Sequence, residues 1–271
     1  MKIGVIFGGT NFEEQRHNPV FAEAMDILVA RGVDLEQINP RLINIELSDL
    51  RVRHDLYVIK SISNSIAATV GAALHALGAK TFNPFPTVQF VRNKIATNRI
   101  LAENGVPIPA TYVTADAKDL IPLLEDGPLI VKPYLGSRGV GVARVGTAEE
   151  LLAAAGGPPI LAQRFHPSDD GFDHKISLIG GEVFGVKRKF PITVYADKAG
   201  PPLEIDDRTR EIARHVSRVL GMDTFTFDLI VSEGKPYVVD VGSFGSMMGV
   251  PDAPSLIADR IIRAWEERED R

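Results

Sequence analysis

Three glycines within six residues occur in the stretch Leu129-Ile130-Val131-Lys132-Pro133-Tyr134-Leu135-Gly136-Ser137-Arg138-Gly139-Val140-Gly141-Val142. Its apolar start predicts a buried strand, and residues 142–145 predict a second strand, whereas a P-loop would lead into a helix. Glycines allow a backbone to turn its N–H groups toward a phosphate, and Lys132 adds a positive charge beside them. The stretch indicates a phosphate-covering loop, although a glycine-rich hairpin turn fits the same residues equally well.

Two aspartates lie on neighbouring predicted strands further along the chain. Asp228 belongs to the predicted strand 225–231 and Asp240 to the predicted strand 237–241, with a tight turn at Glu233-Gly234 between them. Both carboxylates can then face one side of a hairpin, an arrangement that holds Mg²⁺ while the ion bridges nucleotide phosphates. The alternative is a pair of solvated acids with no metal.

Basic residues lie on a second predicted hairpin, which precedes the two aspartates. Lys175 begins the predicted strand 175–178, and Lys187 and Arg188 end the predicted strand 182–188 after a turn at Gly180-Gly181. Lys175 and Arg188 can point inward together, because both lie at the end of this strand pair that is away from the turn. A solvated basic edge is the alternative.

The composition of the 271 residues excludes several classes of protein. Apolar residues make up 45% of the chain, enough for a core, and the absence of cysteine excludes disulfides, thiolate zinc sites and cysteine nucleophiles. The net charge of −5 gives no reason to expect nucleic acid or a membrane surface as a partner. No apolar run approaches the roughly 18 residues of a membrane span, so we expect a two-part, cytoplasmic protein.

The first 85 residues alternate predicted strands with predicted helices. The strands are expected near 2–7, 42–47, 55–60 and 80–82, and this alternation is typical of a parallel, doubly wound α/β sheet. Ligands of such sheets bind beyond the carboxyl ends of the strands. In this chain those ends are Gly8, Gly9 and Lys60.

From about Arg92 to Ile262 the motifs together resemble the ATP-grasp superfamily, and most closely its RimK-like carboxylate–amine ligases. The resemblance implies an α/β ATP-grasp fold preceded by the doubly wound domain. It implies domains at residues 1–90, 91–160 and 161–271, with the glycine-rich loop in the second and the metal site in the third. It also implies ATP with Mg²⁺ or Mn²⁺, and a small, anionic acceptor; homodimers are common in the family.

The resemblance also implies roles for individual residues. Arg188 and Lys175 are expected to be catalytic, and Asp228 and Asp240 to bind the metal. Residues expected to bind the nucleotide are Lys94, Lys132, Gly136, Ser137, Arg138, Gly139, Gly141, Gln163, Arg164, Phe165 and Asp170. Gln163 and the backbone about Phe165 are assigned to adenine, and Asp170 to the ribose.

The end of the second hairpin departs from the ligase pattern. Where these ligases have Glu-Val-Asn, this chain has Asp240-Val241-Gly242, so one side-chain metal ligand is missing. The run from Val239 to Gly245 is more similar to inositol phosphate kinases of the same superfamily. The first expectation is a ligase that forms an acylphosphate and releases ADP and phosphate. The alternatives are a kinase for a hydroxyl of a polyol or inositol phosphate, and a nucleotide-binding regulatory protein without catalysis.

Overall fold

The computed structural model describes residues 1–6, 18–60, 65–136, 139–189 and 198–267. Within these residues the strands form three sheets of four strands each. The helices are α1 (Pro19–Ala30), α2 (Ser65–Ala76), α3 (Phe85–Arg92), α4 (Lys94–Glu103), α5 (Ala148–Ala154), α6 (Asp207–Leu220) and α7 (Ala253–Glu266), with 3₁₀ turns at Leu47–Asp49 and Ala117–Asp126.

The N-terminal sheet confirms the predicted parallel, doubly wound α/β arrangement. Its strands are β1 (Lys2–Ile6), β2 (Asp34–Ile38), β3 (Leu56–Ile59) and β4 (Thr81–Phe82). All neighbours in the order β2-β1-β3-β4 are parallel. Alternate residues of β1 and β3 pack with α1 on one face and with α2 on the other, so the sheet is buried on both sides.

The strand predicted at residues 42–47 is wrong. The second strand of the sheet is the preceding segment Asp34–Ile38, and none of its residues is fully buried. An edge strand is held by backbone bonds to a single neighbour and needs little apolar side chain, which is why its sequence gave no signal. The alternating apolar residues Leu42, Ile43 and Leu47 are instead exposed.

The central sheet places the glycine-rich loop between two paired strands. The strands are β5 (Thr111–Thr114), β6 (Leu129–Lys132), β7 (Ala143–Val145) and β8 (Ile160–Arg164), in the antiparallel order β5-β8-β6-β7. The loop joins β6 to β7, which confirms the predicted strand–loop–strand arrangement. The 3₁₀ turn Ala117–Asp126 and α5 pack against this sheet and bury it.

The C-terminal sheet confirms both predicted hairpins. Its strands are β9 (Asp173–Ile179), β10 (Glu182–Arg188), β11 (Thr224–Ser232) and β12 (Lys235–Gly242), in the antiparallel order β10-β9-β11-β12. Both residues of each turn, Gly180-Gly181 and Glu233-Gly234, have positive φ, as tight hairpin turns require. Helix α6 packs on one face through Ile212, Val216 and Leu220, which leaves the other face for polar side chains.

The last helix, α7, returns to the N-terminal sheet. Its residues Ala253, Ile257, Ala258, Ile261 and Ala264 share one buried cluster with α1 and with β1 and β3. From the sequence, this segment was predicted to belong to the domain 161–271. The boundaries of the three domains stay a prediction. Within the described residues, no helix is both long and apolar enough to cross a bilayer.

We expect Ile257→Ala to lower the free energy of unfolding by about 3 kcal/mol, because it leaves a cavity between α7 and the N-terminal sheet. Ile257 is 1% exposed. Urea unfolding measures the change. Leu152→Ala is the control, since Leu152 is 46% exposed and its truncation should cost below about 0.5 kcal/mol. Equal losses in the two variants would contradict the packing described for α7.

Candidate active site

The polar face of the C-terminal sheet carries the residues that the sequence singled out. Lys175, Asp228 and Asp240 are directly opposite one another on β9, β11 and β12. Directly opposed residues point to the same face of a sheet, which supports the expectation that the two aspartates lie side by side. Arg188, the last residue of β10, is directly opposite Asp173, the first residue of β9. Asp173 is two residues from Lys175 on β9, so Asp173 and Arg188 lie on the same face as Lys175.

Cations and carboxylates alternate along this face. Lys175 Nζ lies 2.6 Å from Asp228 Oδ1, and an Arg188 Nη lies 2.8 Å from the same oxygen. Lys94, the first residue of α4, pairs with Asp240. The pKa of Asp228 is lowered: burial acts to raise it, but the charges of Lys175 and Arg188 outweigh the burial.

Asp173 completes the cluster and was not predicted as a site residue. It pairs with Arg188 and is buried. Burial and the nearby charge of Asp228 raise the pKa of Asp173 to about 7, against the opposing effect of Arg188. Its position directly opposite Arg188 in the predicted hairpin was the available signal.

Lys132 joins this face to the central sheet. Its Nζ lies 2.6 Å from Gln163 Oε1 on β8 and 2.7 Å from the carbonyl oxygen of Val239 on β12. Burial lowers the pKa of Lys132 to about 8, and the charge of Asp240 acts in the opposite direction. The ammonium has three N–H donors, of which these two oxygens take two.

The side-chain amide of Gln163 makes three hydrogen bonds, of which one is accepted from Lys132. Gln163 Nε2 donates to Asn98 Oδ1 at 2.9 Å and to Thr111 Oγ1 at 3.0 Å, and the side chain is buried. Asn98 in turn donates to the carbonyl oxygen of Lys94, one helical turn earlier. Asn98 and Thr111 were not predicted as site residues, because their side chains are uncharged and belong to no motif that the sequence shows.

Arg164 lies away from the cluster, and its assignment to the nucleotide stays a prediction. Its guanidinium donates to the carbonyl oxygen of Leu123, at 2.9 Å, within the 3₁₀ turn Ala117–Asp126, and to that of Gly127, which directly follows the turn. Alternation along β8 explains this, since Gln163 and Arg164 point to opposite faces. The N–H of Phe165 donates to the carbonyl oxygen of Pro128 at 3.0 Å, and its ring lies under Arg144.

Asp170 and Lys187 form a separate group with His174. Asp170 accepts from Lys187 Nζ at 2.8 Å and from His174 Nε2 at 3.0 Å. Burial alone would raise the pKa of Asp170, but these bonds, with that from the N–H of Phe172, hold it well below its usual range. His174 and Lys187 are opposite each other on β9 and β10, so they face away from Arg188 and Asp173.

The glycine-rich loop is only partly described, since Ser137 and Arg138 lie outside the described residues. Gly139 and Gly141 have φ of 71° and 74°, which favours glycine. A Cβ at Gly141 would lie 2.9 Å from Pro133 Cγ. Val140 is 74% exposed, so the loop presents an apolar side chain to solvent. The Lys94 N–H donates to the carbonyl oxygen of Tyr134, which ties the start of the loop to α4.

Lys60 connects the N-terminal sheet to the end of β12. Its Nζ donates to the carbonyl oxygens of Phe244 and Gly245 at 3.0 and 2.9 Å, and lies 4.3 Å from the centre of the Phe244 ring. Burial, with a smaller effect of Lys198, lowers the pKa of Lys60 to about 7. The other expected ligand positions at this edge, Gly8 and Gly9, lie outside the described residues.

The two aspartates suit a magnesium ion that also binds phosphates. Both cations that pair with Asp228 bond to Oδ1, and Oδ2 takes part in neither bond. The described residues contain no group of three or more His, Asp and Glu that could hold a metal by themselves. Mg²⁺ in nucleotide sites typically takes one or two carboxylates, with phosphates and water as its other ligands, so the residues present fit it.

Comparison with known proteins identifies the fold. A profile of the RimK-like ATP-grasp domain matches residues 91–264. The ribosomal protein bS6–L-glutamate ligase of Escherichia fergusonii is 28% identical over 249 residues, covering 85% of this chain and 83% of that protein. The D-alanine–D-alanine ligase of Bacillus anthracis in complex with ATP superposes with a TM-score of 0.72 at 18% identity, covering 99% of both chains. D-cycloserine synthetase gives 0.74 at 18%, covering 98% of this chain and 100% of that one.

We expect Gln163→Leu to lower the free energy of unfolding by about 3 kcal/mol, because Lys132, Asn98 and Thr111 each lose a buried partner. Urea unfolding measures this loss. Gln37→Leu, at an exposed position of β2, is the control and should change stability by less than about 0.5 kcal/mol. A Gln163→Leu protein as stable as the control would mean that the amide does not hold the lysine.

Proposed function

The chain belongs to the RimK-like ATP-grasp family, and we propose that it is an ATP- and Mg²⁺-dependent ligase that joins a carboxylate to an amine through an acylphosphate. The observation that carries the proposal is the row of Lys175, Asp228 and Asp240 on one face of the C-terminal sheet, with Lys132 beside it. This row combines two carboxylates for a metal with cations for a phosphate chain. ADP and phosphate are the expected co-products.

The nucleotide is proposed to lie between the central sheet and the C-terminal sheet. Lys132, with one N–H left beyond its two protein bonds, and Lys94 are suited to the phosphates. The loop between β6 and β7, with Gly136, Gly139 and Gly141, is proposed to close over them, which would bring the exposed Val140 out of water. Asp228 and Asp240 would hold Mg²⁺, which neutralises phosphate charge when bound.

Two displacement steps follow from this arrangement. The substrate carboxylate oxygen forms a bond to the γ-phosphorus while the bond from that phosphorus to the bridging oxygen of ADP breaks. A neutral amine then attacks the acyl carbon, the bond from that carbon to the phosphate oxygen breaks, and phosphate leaves with its electron pair and takes up the proton that the nitrogen loses. Arg188 and Lys175, which both pair with Asp228, are proposed to balance the negative charge of the transferred group, which is the main task of a protein in phosphoryl transfer.

The substrates are proposed to be small molecules or peptides, at least one of them anionic. The relatives support this class, since one is named for joining L-glutamate to a ribosomal protein. Lys60 supports it as well, because its Nζ stands beyond the carboxyl edge of the N-terminal sheet with one N–H left after its bonds to the carbonyl oxygens of Phe244 and Gly245. In doubly wound sheets this edge is where ligands bind.

A kinase is the second candidate. One observation favours it: Gly242 stands where the ligases have a metal-binding asparagine, and the run to Gly245 resembles inositol phosphate kinases. Such an enzyme would pass the same γ-phosphoryl group to a hydroxyl oxygen.

We expect the protein to consume ATP with Mg²⁺ and to release ADP when pooled amino acids and peptides are supplied, with an amide as the organic product. A parallel pool of polyols and inositol phosphates tests the kinase. Mass spectrometry identifies the products. A phosphorylated alcohol would select the kinase, and AMP with pyrophosphate would rule out the γ-phosphoryl mechanism in both.

We expect Asp240→Asn to lower turnover on the order of 100-fold, because it removes charge between the metal and the developing phosphoryl charge. Gly242→Asn should keep activity or lower the Mg²⁺ concentration that is needed. A Cβ at Gly242 would meet nothing closer than Thr226 Oγ1, at 3.5 Å, and its φ lies outside the left-handed region.

Assays of ATP consumption across a Mg²⁺ titration measure both effects. Asp259→Asn is the control, since Asp259 lies on α7 and forms an exposed ion pair with Arg31 at the end of α1. Unchanged turnover in a folded Asp240→Asn protein would remove the metal assignment of that residue.

A further inference from the structure

Asp173 and Arg188 form an incomplete ion pair. One Nη of Arg188 donates both to Asp173 Oδ2 and to Asp228 Oδ1. Asp173 Oδ1 and Arg188 Nε are both buried, and neither has a hydrogen-bond partner among the described residues. Arginine and a carboxylate commonly make two parallel hydrogen bonds, and these two atoms are the ones such a second bond would use.

The incomplete pair has a direct electrostatic cause. Arg188 is shared between two carboxylates: one Nη bonds to both of them, and the second bond to Asp173, from Nε, is not made. A buried donor or acceptor without a partner costs about 1–3 kcal/mol, so both orphaned atoms favour a shift of the guanidinium toward Asp173. The attraction of Asp228 opposes that shift.

We propose that Asp173 is a positioning residue that keeps Arg188 in the site when Asp228 binds the metal. This proposal rests on the proposed function, in which Asp228 is a ligand of Mg²⁺. A divalent ion on Asp228 weakens the attraction of that carboxylate for Arg188. Asp173 then retains the guanidinium with a second bond, from Nε to Oδ1, so that Arg188 stays beside the phosphoryl group and competes less with the metal.

The test compares the Mg²⁺ requirement for nucleotide binding in three proteins. The probe is a non-hydrolysable ATP analogue, and calorimetry gives its affinity across a Mg²⁺ titration and in EDTA. In Asp173→Asn, Arg188 keeps only Asp228 as a charged partner and competes more strongly with Mg²⁺. We expect the half-maximal Mg²⁺ concentration to rise about tenfold, with binding in EDTA unchanged.

Asp223→Asn is the matched control, because Asp223 also pairs with an arginine, Arg260, but lies off the polar face. It should leave the Mg²⁺ requirement at the wild-type value. Arg188→Lys is the second variant, used if Asp173→Asn does not fold. Lysine keeps the charge but cannot make two parallel bonds to one carboxylate, so this variant should also need more Mg²⁺.

The outcomes separate this inference from the proposed function. A folded Asp173→Asn protein with the wild-type Mg²⁺ requirement would overturn the positioning role. If Asp173→Asn is unfolded, a wild-type requirement in Arg188→Lys would overturn it. Wild-type protein that binds the analogue equally well with Mg²⁺ and with EDTA would overturn the proposed function itself, and with it this inference.

Discussion

The hydrogen bonds of the buried Lys132 ammonium are the interaction on which the arrangement of the site depends. The ammonium bonds to Gln163 in the central sheet and to the backbone of Val239 in the C-terminal sheet, so one side chain holds two sheets together. A buried lysine is costly, and burial accordingly lowers its pKa to about 8. The negative charge of Asp240 counteracts that shift, so the carboxylate proposed for the metal also helps to keep Lys132 charged.

The other charged groups on this polar face are also paired with groups of opposite charge. Each carboxylate there has a cation beside it, and the pairs cross between elements: Lys94 from α4 reaches Asp240 on β12, and Lys175 on β9 reaches Asp228 on β11. Buried ion pairs contribute little to stability, because desolvation offsets the attraction. Under the proposed function, this arrangement would hold several charged groups in place for a phosphate chain and a metal.

Much of the architecture could be predicted from the sequence. The two hairpins and the loop between β6 and β7 follow from turn residues and from alternation along strands, which are local properties. The row of Lys175, Asp228 and Asp240 does not follow from local properties alone. A register shift between Asp228 and Leu229 brings Asp228 opposite Asp240, and the pairing of β9 with β11 brings Lys175 opposite Asp228. The edge strand Asp34–Ile38 was missed, because pairing with one neighbour leaves no apolar pattern.

The contacts of several other residues could not be predicted, because the sequence does not show which face of a strand points to the site. Arg164 follows Gln163 directly and therefore bonds to the opposite side of the central sheet. Lys187 precedes Arg188 and pairs with Asp170, away from the row. Gln163 lies on the predicted strand, and its assignment to adenine stays a prediction. Its contacts with Lys132, Asn98 and Thr111 were not predicted, because tertiary packing sets the partners of a buried amide.

One of the two glycines that suggest a kinase, Gly245, has a packing reason in this fold. A Cβ at Gly245 would lie 2.7 Å from Thr226 Cγ2, so the segment after β12 comes too close to β11 for any larger residue. Asn83 fixes the same segment by donating to the carbonyl oxygen of Ser243 at 2.6 Å, and Lys60 fixes it from the N-terminal sheet. Packing against Thr226 requires glycine at 245 whatever the acceptor is. The part of the kinase resemblance that rests on Gly245 therefore carries no information about whether the acceptor is a hydroxyl or a carboxylate, which leaves Gly242 as the residue that bears on it.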